Sequence, residues 1–283
     1  MKTIAEVMMH LPIVVEVPGS RNDAINLMVR EKLTGLPVVR ASDGKLVGIV
    51  SRRDVFKNFK ENQLSLIMKK DIITITPDKT IAEAAKIFTS KRIHRLPVVD
   101  DGKLVGIVTP TDLLDEIVAM KTPMKAEDVL NMKCVTAYEK EPLSYTVPAM
   151  RISDVPAMPV LNDDGELVGI LTDRDLFLDQ GRDSEALSKL GLDEGYEKLA
   201  GYRNVMPLFY VATQKEIPKE YLVEDAMVRD PATVYKKTSL SDAAKIMKVN
   251  DFGQLPVHGN NDELIGMIYD IDVLYALVGK LDG

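Results

Sequence analysis

Residues 96–112 read LPVVDDGKLVGIVTPTD, and the fold follows from how that stretch decodes. Leu96 to Val99 is a short run rich in β-branched residues, as a strand requires. Asp100-Asp101-Gly102 is a hairpin signal, because aspartate and glycine tolerate the positive φ angles of a tight turn. Leu104 to Thr109 is a second apolar run, too apolar for one solvated face, so both of its faces should be covered. Thr109-Pro110-Thr111-Asp112 then opens a helix expected to reach about Met120. Its proline sits in the first turn, where a missing N–H costs nothing.

The same unit extends upstream. Ile72-Ile73-Thr74-Ile75-Thr76 is a β-branched run that Pro77-Asp78 ends, so it reads as a first strand and a turn. Thr80 caps the next helix, with Glu83 three residues on as the partner of a capping box. Ile81, Ala84, Ala85 and Phe88 recur at helical spacing. The order is therefore strand, helix, strand, strand, helix.

This pattern occurs four times. Repeat 1 has LPVV at 36–39, LVGIV at 46–50 and SRRD at 51–54. Repeat 2 is the stretch quoted above. Repeat 3 has MPVL at 158–161, LVGIL at 167–171 and TDRD at 172–175. Repeat 4 has LPVH at 255–258, LIGMI at 264–268 and YDID at 269–272. Pro37, Pro97 and Pro159 are about sixty residues apart, whereas Pro256 follows after about 35 residues more. The chain thus divides into repeat 1 at 1–62, repeat 2 at 63–120, repeat 3 at 121–180, an insert at 181–221 and repeat 4 at 222–283. One such unit is too small to bury its own sheet, so neighbours must pair. Chain order predicts modules 1–120 and 121–283, divided near Met120 to Ala126. The fold class is α+β: four βαββα repeats paired into two pseudo-twofold modules.

Composition bounds the function. Hydrophobic residues make up 46% and charged residues 28% of 283, an ordinary globular balance. The net charge of −7 disfavours a nucleic-acid partner, which would call for a basic field. The single Cys134 cannot form an internal disulfide and reads as a structural thiol of a reducing compartment. Residues 1–20 lack the pattern of a secretory signal, and no run approaches the length of a membrane span, so a cytoplasmic location without a membrane partner is expected. His10 and His258 are isolated, so no metal cluster is indicated. No phosphate-loop motif occurs. No nucleophile, base or metal set can be named, so catalysis is not expected and no catalytic cofactor is implied.

The succession of an hPVh strand, a turn, an h-h-G-h-h strand and a [ST]-x-x-D helix start, with h an apolar residue, resembles the CBS domain family. The resemblance covers nearly the whole chain except the insert. Four tandem repeats without another domain are similar in layout to the gamma subunit of AMP-activated protein kinase and to archaeal CBS proteins. It implies paired repeats, known as Bateman modules, whose clefts bind AMP, ADP, ATP or S-adenosylmethionine.

The residues themselves suit that chemistry. A helix start presents unpaired N–H groups and a positive dipole end to an anion. Ser51, Thr109 and Thr172 add hydroxyls there. Asp54, Asp112, Asp175 and Asp272 each place an acceptor carboxylate one turn on. Vicinal ribose hydroxyls are matching donors, and such charged hydrogen bonds contribute roughly 1.5–3 kcal/mol each. In the family this aspartate grips the ribose. Plain helix capping is the alternative reading of the same residues. His94-Arg95, before Leu96-Pro97, corresponds in the resemblance to a pair that contacts phosphate and serves the cleft of Asp54, so Ser51, Asp54, His94 and Arg95 form the best expected cleft. Lys91 to Arg95 otherwise reads as a solvated basic turn. Thr34-Gly35, Pro156-Ala157 and Gly253-Gln254 hold the equivalent positions and are not basic, so the clefts should differ. Arg52-Arg53 and Arg174 are further candidates for phosphate, and Thr74 in the first strand of repeat 2 completes the set. Tyr269 replaces the hydroxyl residue in repeat 4, and Pro148 should kink or shorten the first helix of repeat 3. The Asp272 site is therefore expected to be the weakest.

The expected function is a non-catalytic sensor of AMP, ADP or ATP read by an unknown protein partner. A binder of S-adenosylmethionine or methylthioadenosine and a ligand-free scaffold are the alternatives. A homodimer and a closed disc within one chain are both compatible with the family. The insert at 181–221, with its Tyr and Leu content, is expected to pack on the second module.

Overall fold

The computed structural model describes residues 2–31, 33–58, 61–130, 134–172 and 220–279. Arg174, Asp175 and the insert up to residue 219 lie outside the described residues.

Each repeat is built on one hairpin. In repeat 1, Gly35–Arg40 pairs antiparallel with Leu46–Ser51, and Val15–Val17 adds a parallel edge. Ala157–Leu161 with Leu167–Thr172 and Gln254–His258 with Leu264–Tyr269 repeat the hairpin, edged in parallel by Ala137–Tyr138 and Val234–Tyr235. Leu96–Asp100 and Lys103–Val108 form the hairpin of repeat 2. There the expected strand 72–76 shrinks to a single bridge, Ile75 to Val98, because Ile75 alone of the run is buried. All four hairpins carry a register shift at the same place, after Val38, Val98, Val160 and Val257.

The helices form as their caps dictate. Thr80 accepts from the backbone N–H of Glu83, while the Glu83 carboxylate accepts from the Thr80 N–H at 2.8 Å. That box starts Ile81–Lys91, which buries Ile81, Ala84, Ala85 and Phe88. The closing helix of repeat 2 is a 3-10 turn, Pro110–Leu113, followed by Leu114–Met120. In repeat 3 the helix Leu143–Ser153 contains Pro148 yet runs eleven residues, as long as its equivalents in repeats 2 and 4. The expected shortening does not occur. Leu143, Val147 and Met150 remain buried on one face, and that packing offsets the lost hydrogen bond.

Short leading segments, which pattern reading did not resolve, join the repeats in an exchanged order. Met9–His10, at the start of repeat 1, pairs with Lys103–Val108 of repeat 2. Lys69, at the start of repeat 2, bridges Ile49 of repeat 1. Val228–Arg229, at the start of repeat 4, pairs with Leu167–Thr172 of repeat 3. The Ala126 N–H, at the start of repeat 3, donates to the Thr238 carbonyl of repeat 4 at 2.9 Å. A methionine from three of these segments covers a strand glycine. A Cβ on Gly106 would lie 2.4 Å from the Met8 sulfur, and one on Gly48 or Gly169 would lie 2.5 Å from Met68 or Met227. The glycine of LVGIV is needed for that close approach.

Two compact units result. One holds residues 1–12, 73–134 and 230–283, hence repeats 2 and 4. The other holds 13–72 and 135–229, hence repeats 1 and 3. This grouping differs from the chain-order modules 1–120 and 121–283, because compactness follows helix packing. In the first unit Leu240–Asn250 lies against Leu114–Met120, and Tyr275–Val278 against Ile81–Lys91. Phe88, Ile117, Met247, Leu274 and Leu277 meet in one core, and Ala84, Ala85, Ala243 and Ala244 let the helices approach closely. Ser241, buried there, accepts from the Thr122 N–H at 3.0 Å and donates to the Ile117 carbonyl at 2.7 Å. The other unit has a core of Leu143, Met150, Met158, Val160 and Leu171 in repeat 3, sealed by Val223, Ala226 and Met227 of the leading segment.

Candidate functional site

The closing turns of repeats 1, 2 and 4 are set by where the last strand of each stops. Ser51 ends Leu46–Ser51 in an extended conformation, and Arg52–Lys57 begins at once. The Asp54 N–H donates to Ser51 Oγ at 3.3 Å. In return the Ser51 N–H donates to Asp54 Oδ2 at 2.8 Å, and the Ser51 hydroxyl donates to the same oxygen. Repeat 2 is alike: the Thr109 N–H and hydroxyl donate to Asp112 Oδ2 at 2.7 and 2.8 Å. In repeat 4 the Tyr269 N–H donates to Asp272 Oδ2 at 2.9 Å. Capping thus takes one carboxylate oxygen in these three turns and leaves the other, Oδ1, to face its surroundings.

Those surroundings differ. Asp54 Oδ1 lies 3.7 Å from Lys69 Nζ, a group of the exchanged segment. Asp112 Oδ1 has no partner among the described residues, and burial pushes the Asp112 carboxyl up against the opposing pull of the Thr109 hydrogen bonds. Asp272 Oδ1 accepts from the Arg92 guanidinium of repeat 2 at 2.5 Å, with the Asp272 side chain 4% exposed.

The remaining candidates fall as follows. His94 Nδ1 lies 3.7 Å from Asp270 Oδ1 in the turn of repeat 4, and Arg95 is half-buried. Arg53 sits 3.4 Å from Asp154 of repeat 3. Arg52 is buried. Thr172 is buried at the end of its strand, while Thr74 is exposed. Arg92, Asp154, Asp270 and Lys69 were missed by pattern reading. Arg92 and Asp154 gave only a local signal, each being the first residue past a helix, and their acidic or basic partners are distant in sequence. Cys134 is half-buried, and burial pushes its thiol up, away from reactivity. Among the described residues no His, Cys, Asp and Glu cluster suits a metal, and no helix is long and apolar enough to cross a membrane.

Comparison with known proteins agrees with this architecture. The family model described as "CBS domain" matches four times, at residues 4–61, 64–119, 126–179 and 223–279. The crystal structure of protein MJ1225 from Methanocaldococcus jannaschii superposes with a TM-score of 0.74 at 23% identity, covering 97% of this chain and 99% of that one. In sequence, MJ1225 is 25% identical over 192 residues, 62% of this chain and 68% of the relative. A conserved protein from Pyrococcus horikoshii superposes with a TM-score of 0.66 at 24% identity, covering 98% of this chain and all of that one. The match to a further M. jannaschii protein, MJ1404, is 27% identical over 211 residues, 74% of this chain but only 42% of the relative.

Proposed function

This chain belongs to the CBS domain family, and from that premise we propose that it is a non-catalytic regulatory sensor of adenosine ligands. AMP, ADP or ATP are the expected class, held through ribose by the closing-turn aspartates and through phosphate by His94 and Arg95. The observation that supports this reading best is the carboxylate left over after capping. At Asp112 one oxygen is used by Thr109 and the other has no partner among the described residues, in a half-buried carboxyl that burial pushes up. A half-buried acceptor of that kind gains from a matching donor, and a diol supplies two. Asp54, whose second oxygen is only within long range of Lys69, is the next such site.

A second reading has its own support. The turn Thr109-Pro110-Thr111-Asp112 carries no cation, and Arg92 and Arg53 are engaged by acids. S-adenosylmethionine or methylthioadenosine, which need no phosphate anchor, fit such a turn. Either ligand acts by binding one arrangement of the repeats better than another, and a protein partner reads that shift.

Thermal melting with AMP, ADP, ATP, S-adenosylmethionine and methylthioadenosine tests the proposal. Ligand at about a hundred times its dissociation constant adds roughly 2.7 kcal/mol of stability, an upward shift that is easily resolved. Arg95→Ala separates the two ligand classes, since it should weaken AMP strongly and S-adenosylmethionine little. If none of the five compounds moves the midpoint, the chain is a ligand-free scaffold and the proposal fails.

A further inference from the structure

Within the unit that holds repeats 2 and 4, the two closing turns are capped alike but end in opposite circumstances. Asp112 and Asp272 both give Oδ2 to a backbone N–H, at 2.7 and 2.9 Å. Beyond that, Asp112 accepts only from the Thr109 hydroxyl among the described residues, whereas Asp272 Oδ1 is taken by Arg92. Asp272 is 3% exposed, so removing that partner would leave a buried carboxylate without a compensating cation.

Arg92 is placed there by the backbone. It closes Ile81–Lys91 in the left-handed region at φ 50°, a conformation that non-glycine residues rarely adopt. From that corner the guanidinium reaches the turn of repeat 4, and His94, two residues on, lies 3.7 Å from Asp270 in the same turn. The corresponding corner of repeat 4 is Asp251, also left-handed at φ 55°. Aspartate there has no proton to give, so nothing equivalent can occupy Asp112. The two repeats thus differ in charge at this corner, and the corner residue decides which carboxylate is taken.

We propose that Arg92 is a resident occupant of the Asp272 carboxylate, closing the turn of repeat 4 to adenosine ligands while that of repeat 2 stays open. The inference rests on the reading above that these aspartates hold ribose. A ribose diol needs the oxygen that Arg92 already holds, so binding at Asp272 must first break a buried charge-assisted bond. Arg92 is therefore a specificity-determining residue that sets how many ligands the protein takes.

Native mass spectrometry of the full chain with saturating AMP, ATP or S-adenosylmethionine counts the bound equivalents. Arg92→Ala, and the longer, uncharged Arg92→Gln as a gentler variant, should each bind one equivalent more than the wild type. Arg92→Lys, which keeps a cation in place, should keep the wild-type number. The double variant Arg92→Gln with Asp272→Asn should also return to the wild-type number, which assigns the added equivalent to Asp272. An unchanged or lower count in Arg92→Gln overturns the inference while leaving the sensor reading intact. A ligand-bound wild-type crystal structure with ribose on Asp272 overturns it as well, without any variant. Absence of binding by the wild type to all three compounds removes the sensor reading and this inference together.

Discussion

Repeat 2 closes on Thr109-Pro110-Thr111-Asp112 and repeat 4 on Tyr269-Asp270-Ile271-Asp272, and both turns lie in one compact unit. Each aspartate holds the start of its strand-to-helix junction by the same backbone hydrogen bond. Their second oxygens differ. Asp272 is paired with a cation, whereas burial pushes the Asp112 carboxyl up with no cation paired to it among the described residues. The motif position therefore fixes the cap, and the residue past the first helix of the sister repeat fixes the chemistry. The unit of repeats 1 and 3 carries the same device with reversed polarity. Asp154, left-handed at φ 56°, ends the first helix of repeat 3 and meets Arg53 in the turn of repeat 1. There the pair engages the neighbouring Arg53 and leaves Asp54 Oδ1 to Lys69 at 3.7 Å.

The sharpest way to break this comparison is to delete the open carboxylate. Asp112→Ala should weaken the adenosine ligand of repeat 2 about 10- to 100-fold, the worth of charged hydrogen bonds of roughly 1.5–3 kcal/mol. Isothermal titration would show it, and an unchanged affinity would make Asp112 a cap and nothing more. Next in size is loss of the closed pair. Asp272→Asn should lower the ligand-free melting point by about 2–4 °C, because a half-exposed partner discounts the ion pair to about 1 kcal/mol. A melting point that does not move would show that Arg92 adds nothing to the packing of repeats 2 and 4.

The opposite sign is expected at the open site. Because burial lifts the Asp112 carboxyl, the folded protein binds its proton more tightly than the unfolded chain does. Stability from this group is therefore greatest at low pH and falls as pH rises from the ordinary aspartate value through the raised one. Asp112→Asn should remove that decline and melt slightly higher than the wild type at neutral pH. Equal pH profiles for the two proteins would refute the assigned environment. Ligand affinity at this site should fade on acidification through the same window, since the diol needs the ionised acceptor. Gly106→Ala pushes on the flexible Met8 thioether and should cost about 1 kcal/mol; chemical denaturation would measure it.

Much of this was legible in the chain. The LPVV, LVGIV and hydroxyl-x-x-Asp strings specify hairpin, turn and helix start by local rules, and the Thr80–Glu83 box formed as its spacing requires. The register of the first strand was less so, because only Ile75 of Ile72 to Thr76 finds a buried place. Pro148 misled, because local propensity lost to the burial of Leu143, Val147 and Met150. The candidate site was legible as a set of aspartates in unequal settings, with Asp272 expected to be the weakest, but its partner Arg92 was not. His94-Arg95 stood out by charge and drew attention away from Arg92, which reads as one more surface cation.

What the sequence determined by itself is the repeat: four hairpins, their caps and one carboxylate per closing turn. These are fixed by contacts spanning a few residues, which the order of side chains specifies directly. Tertiary structure decided which helices pack together, which leading segment lies on which sheet, and which carboxylate meets a cation. Those outcomes join residues as far apart as Arg92 and Asp272, and no local rule relates them. They depend on which apolar faces bury one another, and only the folded chain brings the charges at the edges of those faces within bonding distance.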